Sequence, residues 1–230
     1  MKEFVRRLAL GHTFVAVVAA ASCSSSPAST SPSAGAASPP PLRRIVVLGD
    51  SLAVSPSRSE SFPAELQKRL DVLGQGWIVA NAGVSGDTTS GGLRRFDSAV
   101  TADTRILVLE LGANDGLRGI EIAAIERNLT TMMARAQARN VRVLLCGMET
   151  LPTHGWDYSV EYHRMFQRLA VGHNVPLVPF LLAGVALNPD LNGEDGFHPN
   201  AEGARRIAET VWPYLERLVQ QESAAVALVR

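Results

Sequence analysis

Short apolar runs alternate with longer amphipathic segments along most of this chain. The apolar runs predict β-strands, which fall at residues 45–48, 77–80, 105–111, 141–146 and 176–181. The segments between and after them place apolar residues at helical spacing, and they predict helices at about 62–72, 88–100, 120–139, 158–173 and 200–218. Prolines in the fifth run predict an edge strand, and Pro213 predicts a kink or break near the end of the last helix.

The predicted strands are apolar on both faces, which is typical of a parallel sheet covered by helices on either side. Strands that alternate with helices make right-handed crossovers. We therefore predict an α/β fold, a three-layer α/β/α sandwich around a five-stranded parallel sheet.

The first forty residues carry signals of export rather than of a fold. Residues 1–22 combine a basic start with a short apolar stretch and small residues, which predicts a signal peptide rather than a buried N-terminal helix. Ala20-Ala21-Ser22-Cys23 resembles a bacterial lipobox, so Cys23 is the predicted lipidation site, with ordinary cleavage near Ala21 as the alternative. The protein is then secreted across the inner membrane, and it is periplasmic or anchored to a membrane through its acyl chains.

The rest of the chain divides by composition. Residues 23–41 are rich in Ser, Pro and Ala and predict a linker that cannot bury enough apolar surface to fold. Residues 42–220 are long enough for one domain with a sizeable core, and residues 221–230 are expected to form a C-terminal tail.

Charge and cysteine content exclude several classes of function. The 22 basic residues balance the 22 acidic ones, and no basic patch with interleaved aromatics indicates a nucleic-acid partner. The two cysteines, Cys23 and Cys146, show no zinc-ligand spacing with histidine, and Cys146 is predicted to be a buried, inert thiol. We expect neither a metal nor a cofactor.

Candidate chemistry begins where the first strand ends, at Gly49-Asp50-Ser51-Leu52. Ligands of open parallel sheets bind at this edge. A serine hydroxyl is a weak nucleophile until a base takes its proton, and the base needs a partner that orients it. His198 and Asp195, in Asp195-Gly196-Phe197-His198, supply these roles, and the spacing of three favours Asp195 over its neighbour Glu194.

Two further motifs follow the second and third strands, Asn81 to Thr88 and Gly112 to Gly116. A glycine lets a backbone N–H approach a ligand closely, and an asparagine amide is a neutral donor. Ser85 lies in an incomplete Gly-x-Ser-x-Gly pattern and is a poor alternative nucleophile.

Together these four motifs resemble, in order, the blocks of the SGNH (GDSL) hydrolase family over about Arg44 to Tyr214. The chain is most similar to the bacterial periplasmic acyl-CoA thioesterase/lysophospholipase subgroup, also called arylesterases. The resemblance implies a flavodoxin-like sandwich and a serine esterase that uses no cofactor.

Each role follows from a matching position in the family. Ser51 is the implied nucleophile, His198 the base and Asp195 its orienting partner, while the Ser51 N–H, the Gly83 N–H and the Asn114 amide form the implied oxyanion hole. Asp50 is instead expected to form the turn.

Two loops depart from the subgroup pattern and leave substrate preference open. They are Ala53 to Arg58 and Leu151 to Tyr158, and the second contains the possible pocket residues His154 and Trp156. The predicted reaction is hydrolysis of carboxylic esters or thioesters, lysophospholipids included, through an acyl-serine. Alternatives are a carbohydrate acetyl esterase of the same fold and a non-catalytic lipoprotein that binds lipids or glycans.

Overall fold

A computed structural model describes residues Arg43 to Ala227, with side chains up to Ala225. The predicted signal peptide, Cys23 and most of the predicted linker lie outside these residues. The strands are β1 (Arg43–Gly49), β2 (Trp77–Asn81), β3 (Thr104–Glu110), β4 (Arg142–Cys146) and β5 (Leu177–Val178). The α-helices are α1 (Phe62–Leu73), α2 (Thr89–Arg94), α3 (Phe96–Ala99), α4 (Ala113–Leu117), α5 (Ile122–Ala138), α6 (Trp156–His173) and α7 (Ala201–Ala227), and Pro152–His154 is a 3₁₀ turn.

The five strands form one parallel sheet in the order β2-β1-β3-β4-β5. Helix α1 packs against α7, whereas α5 packs against α2 and α6, so two helical groups cover the apolar sheet. This confirms the predicted α/β sandwich. The chain reverses direction across the sheet between β1 and β3, and this is the switch point at which open α/β sheets bind ligands.

The core explains why the strands read as continuous apolar runs. Residues Ile45 to Leu48 of β1 and Ile106 to Leu109 of β3 are completely buried, because both faces of the central strands are covered. The predicted edge strand is β5, which pairs with β4 through only two residues. At the end of α1, Gly74 adopts the left-handed conformation and donates its N–H to Asp71 O, as a helix-terminating glycine does.

Two predicted helices differ in extent from the structure. The predicted helix at 88–100 is divided into α2 and α3 at Arg95. The helix expected from residue 120 begins at Ile122, and the short α4 precedes it.

Pro213 lies inside α7 and does not break it, so the predicted break was wrong. The residues Ile207, Val211 and Leu215 on either side of it are fully buried on one face, and this packing outweighs the hydrogen bond that proline cannot make. Helix α7 also continues past residue 220, where the tail was expected to begin. There Glu222 pairs with Arg142 and Ser223 accepts a hydrogen bond from Arg43.

Two further features are absent from the stretch Arg43 to Ala227. No helix in this range is long and apolar enough to cross a membrane. The same residues contain no group of three or more His, Cys, Asp or Glu side chains arranged to hold a metal ion.

The buried central strands should dominate stability. Leu107 of β3 is fully buried, so we expect Leu107→Ala to lower the free energy of unfolding by about 3 kcal/mol, within the range of about 2–5 kcal/mol for such truncations. Val72, on α1, is 87% exposed, and Val72→Ala should change it by less than about 0.5 kcal/mol. Urea unfolding of both variants checks this, and equal losses would contradict the packing described.

Candidate active site

The turns that leave β1, β2 and β3 carry the predicted site residues to one edge of the sheet. Gly49 ends β1 and pairs with Glu110 at the end of β3, so Ser51 and Asn114 emerge from adjacent strands. Ala82 N donates to Val47 O and Val84 N donates to Gly49 O, which continues the β1–β2 pairing into the Gly83 loop. Local register therefore brings three distant motifs together.

Ser51, His198 and Asp195 form a continuous chain of contacts. His198 Nε2 lies 2.8 Å from Ser51 Oγ, across 147 positions of sequence. On the other side of the ring, Nδ1 lies 2.5 Å from Asp195 Oδ2. The imidazole thus bridges the hydroxyl and the carboxylate, and it is Asp195 rather than Glu194 that contacts it.

The protonation state of Asp195 determines which imidazole nitrogen of His198 carries a proton. Its hydrogen bond with the His198 side chain, and then the backbone N–H groups of His198 and Phe197, lower the pKa of this carboxyl well below its ordinary value. An ionised carboxylate can only accept, so Nδ1 of the imidazole is the protonated nitrogen. In the neutral ring Nε2 is then an acceptor, and the Ser51 hydroxyl donates to it.

Asp50 is completely buried beside the serine. Its Oδ1 accepts the Leu52 N–H at 3.0 Å, and its Oδ2 accepts one N–H of the Asn114 amide, also at 3.0 Å. Burial raises the pKa of Asp50 to about 6, although the Leu52 N–H and the Asn114 amide oppose the shift. Asp50 forms the turn, as the sequence predicted, and it also fixes the direction of the Asn114 amide.

The three predicted oxyanion donors differ in their present partners. Within Arg43 to Ala227, the Ser51 N–H has no hydrogen-bond partner. The Asn114 amide has a second N–H beyond the one held by Asp50. The Gly83 N–H donates to Asn81 Oδ1 at 2.9 Å, so an oxyanion would have to share it or replace the Asn81 oxygen.

Gly83 lies where a side chain would not fit. A Cβ at this position would lie 2.9 Å from Asp50 O, from Ala53 Cβ and from Val54 Cγ1. This close approach, rather than an unusual backbone angle, requires glycine there.

Two arginines that the sequence analysis did not assign to the site hold its backbone in place. Arg95 donates to Gly49 O at 2.8 Å and to Ala82 O at 2.5 Å, and it pairs with Asp87. Arg58 donates to the carbonyls of Asn81 and Gly83. Both sets of contacts join segments distant in sequence, so no local sequence pattern indicated either arginine.

A mainly apolar cavity of about 290 Å³ opens beside Ser51 and His198. Its apolar walls come from the loops after β3, β4 and β5 and from the His198 loop, and they include Leu117, Leu151, Phe180, Leu182, Leu187 and Phe197. Leu187 and Phe197 are more than half exposed at the rim. The site can therefore accept an apolar group next to the serine hydroxyl.

His154 and Trp156, the possible pocket residues, are not among the residues that line this cavity. His154 packs on Gly119 and places Nε2 3.1 Å from Leu117 O. Trp156 is 74% exposed at the start of α6. His154 instead supports the loop that presents Leu117, since its ring contacts the Leu117 carbonyl and Gly119.

The fold and this edge of the sheet define an α/β hydrolytic enzyme with a serine, a histidine and an aspartate in contact. The chain belongs to the GDSL-like lipase/acylhydrolase family, whose model matches residues 47–206. It is an enzyme that hydrolyses ester bonds.

Relatives and a solved structure agree with this assignment. Esterase TesA of Pseudomonas aeruginosa is 38% identical over 178 residues, covering 76% of this chain and 89% of that protein. Thioesterase 1/protease 1/lysophospholipase L1 of Escherichia coli is 33% identical over 182 residues, covering 78% and 86%. The crystal structure of TesA superposes with a TM-score of 0.72 at 37% identity, covering 76% of this chain and 99% of that one.

The contact between Asp50 and Asn114 can be tested by Asp50→Asn. The new amide retains an oxygen for the Leu52 N–H but turns an NH₂ toward the Asn114 donor, which misdirects that donor. We expect kcat for p-nitrophenyl butyrate at pH 8 to fall about tenfold or more with KM little changed, since one misplaced oxyanion donor costs at most about 10²–10³ in rate.

The effect of Asp50→Asn should also depend on pH. Below about pH 6 the Asp50 carboxyl of the parent is itself protonated, so the difference in kcat between the parent and Asp50→Asn should become smaller there. Asp103→Asn, at an exposed pair with Arg44, is the control and should keep the parent rate. Parental kcat in Asp50→Asn at pH 8 would contradict this role of Asp50.

Proposed function

We propose that this enzyme is a serine esterase that hydrolyses carboxylic esters and thioesters, including single-chain lipids, through an acyl-serine intermediate. The observation that carries the proposal is the contact of Ser51 Oγ with His198 Nε2 and of His198 Nδ1 with Asp195 Oδ2. This order of groups is what nucleophilic attack by a hydroxyl requires.

The first half of the reaction acylates the serine. Ser51 Oγ attacks the substrate carbonyl carbon while His198 Nε2 takes the hydroxyl proton, and the carbonyl oxygen becomes an oxyanion. The intermediate collapses when the carbon–oxygen or carbon–sulfur bond to the leaving group breaks, and His198 gives that group its proton. Asp195 holds the ring and stabilises the imidazolium.

The second half repeats these steps with water. His198 Nε2 takes a proton from water, the hydroxide adds to the acyl carbon, and the bond to Ser51 Oγ breaks as the proton returns to that oxygen. The free acid leaves and the site is restored.

The oxyanion is assigned to donors at the edge of the sheet. The Ser51 N–H and the second N–H of the Asn114 amide are the two that Asp50 and its turn leave available. The Gly83 N–H joins them if the Asn81 oxygen gives way. Aligned donors of this kind are usually the largest single contribution to acyl-transfer catalysis.

The apolar cavity is the proposed acyl site. Its volume of about 290 Å³ and its leucine and phenylalanine walls suit an alkyl chain, and the names of the relatives include esterase, thioesterase and lysophospholipase. A carbohydrate acetyl esterase is less well supported, because an acetyl group would leave most of such a cavity unfilled.

The sequence also supports a proposal that the enzyme is exported and lipidated. The charge and hydropathy of residues 1–22 and the lipobox-like segment ending at Cys23 support a periplasmic enzyme tethered by acyl chains. Mass spectrometry of the mature N-terminus tests the tether, since an unmodified Cys23, or a chain beginning elsewhere, would remove it.

Ser51→Ala tests the nucleophile. We expect turnover of p-nitrophenyl butyrate to fall to the background rate, because no other described hydroxyl contacts His198. A fluorophosphonate should label the parent on Ser51 and leave Ser51→Ala unlabelled, while Ser85→Ala should keep both labelling and turnover. Undiminished hydrolysis by Ser51→Ala would refute the mechanism, and a parent that is neither labelled nor active would favour a non-catalytic binding protein.

Ala186→Trp tests the acyl cavity. Ala186 lines the cavity, so the larger side chain should exclude long chains. Burial of one methylene is worth about 0.8 kcal/mol, or about fourfold in kcat/KM. We therefore expect the preference of the parent for octanoyl over acetyl thioesters to shrink by tenfold or more. Ala183→Trp, three residues earlier and outside the cavity lining, is the matched control, and an equal effect of both variants would contradict the assignment.

A further inference from the structure

A second buried carboxyl group lies beneath the Ser51 turn and takes no part in the proposed reaction. Glu110 ends β3 and is completely buried. Its Oε2 accepts the Asp50 N–H at 3.1 Å, whereas its Oε1 has no hydrogen-bond partner among residues 43–227. An acid at the end of an otherwise apolar strand therefore contacts the backbone of the residue that precedes the nucleophile.

This contact explains the first letter of the Gly49-Asp50-Ser51-Leu52 motif. A Cβ on Gly49 would lie 2.1 Å from Glu110 Oε2. Glycine is required because the carboxyl of Glu110 occupies the space in which a side chain would lie. The acid and the turn are thus packed as a unit.

The charges around Glu110 oppose its ionisation. Asp50 faces it from the turn after β1, and the Cys146 thiol lies on the neighbouring β4. Arg95 is the cation that acts on Glu110, but its guanidinium donates to Asp87, Ala82 O and Gly49 O rather than to Glu110. Burial and then the carboxylate of Asp50 raise the pKa of Glu110 well above its ordinary value, while the Asp50 N–H and, less strongly, Arg95 oppose the shift.

A buried carboxylate oxygen without a donor would be costly, whereas a protonated carboxyl in the same place is far less so. We propose that Glu110 is a positioning residue that works as a neutral carboxylic acid, holding the Ser51 turn through the Asp50 N–H and leaving the negative charge of the pair on Asp50. The role of Glu110 in positioning Ser51 rests on the proposed function, but its protonation does not.

The location of the proton matters for the Asn114 amide. Two adjacent buried carboxyls cannot both ionise without a large cost. If the charge moved to Glu110, Asp50 would carry the proton and would lose an oxygen with which it accepts the Asn114 N–H. A neutral Glu110 therefore keeps Asp50 ionised, and Asp50 keeps the oxyanion donor aligned.

Glu110→Gln tests the protonation through stability rather than activity. As the pH rises above the ordinary pKa of a glutamate, the unfolded parent releases this proton while the folded parent retains it. The unfolding equilibrium constant of the parent should therefore rise, relative to that of Glu110→Gln, by up to tenfold per pH unit.

The measurement is urea unfolding of both proteins at half-unit steps between pH 5 and pH 8. Glu60→Gln, at an exposed position, is the control. The ratio of its unfolding equilibrium constant to that of the parent should not change with pH. A ratio for Glu110→Gln that does not change with pH would overturn the proposal, because it would mean that Glu110 is ionised in the folded protein. This result is independent of whether Ser51 is the nucleophile.

Measurements of kcat distinguish a neutral Glu110 that holds the Asp50 N–H from an ionised Glu110 that acts as a base. At pH 7 we expect Glu110→Gln to keep kcat within about threefold of the parent, because glutamine also offers an oxygen to the Asp50 N–H. Glu110→Leu, which offers none, should lower kcat by tenfold or more with KM little changed. A hundredfold loss in Glu110→Gln would overturn the proposal.

Infrared spectroscopy of the unaltered protein covers the case in which Glu110→Gln does not fold. With ¹³C-labelled glutamate, the parent at pH 7 should show an isotope-shifted carbonyl band of a protonated carboxyl. Absence of that band would exclude a neutral Glu110.

Discussion

The pairing of β1 with β3 is the constraint on which the site depends. These strands are parallel neighbours at the point where the sheet order reverses, and their last paired residues are Gly49 and Glu110. Parallel strands end at one edge, so the turns that follow must lie side by side. Asp50 can therefore reach across to Asn114 within hydrogen-bond distance. The register of β1 against β3 thus determines how the residues around Ser51 are placed.

The His198 loop is built differently, as a unit that holds its own geometry. Asp195 accepts the backbone N–H groups of Phe197 and His198 while it holds the imidazole, and Asn192 bridges to Pro199 across the loop. Helix α7 follows directly and packs against α1. The distance from His198 to Ser51 therefore depends on how this loop and the start of α7 pack against the sheet edge.

Sequence pattern predicted the parts of this molecule that follow local rules. Hydrophobic period and turn residues were enough for the five strands and the sandwich, whereas the resemblance to the SGNH family indicated the roles of Ser51, His198 and Asp195, which lie in contact in the structure. The pattern could not anticipate where long side chains reach: Arg58 and Arg95 bind carbonyls of distant loops, and His154 turns to the Leu117 carbonyl. Pro213 also stays helical because tertiary packing outweighs local preference.

The sequence pattern places Glu110 in an apolar strand and gives it no role, although an acid within such a run indicates a buried carboxyl that needs a partner. Its neutrality would serve the electrostatics of the site. In the proposed reaction a negative oxyanion forms beside Ser51, and a further negative charge buried close to it would oppose its formation. A protonated acid can thus hold the Ser51 turn through the Asp50 N–H without opposing the charge of the proposed oxyanion.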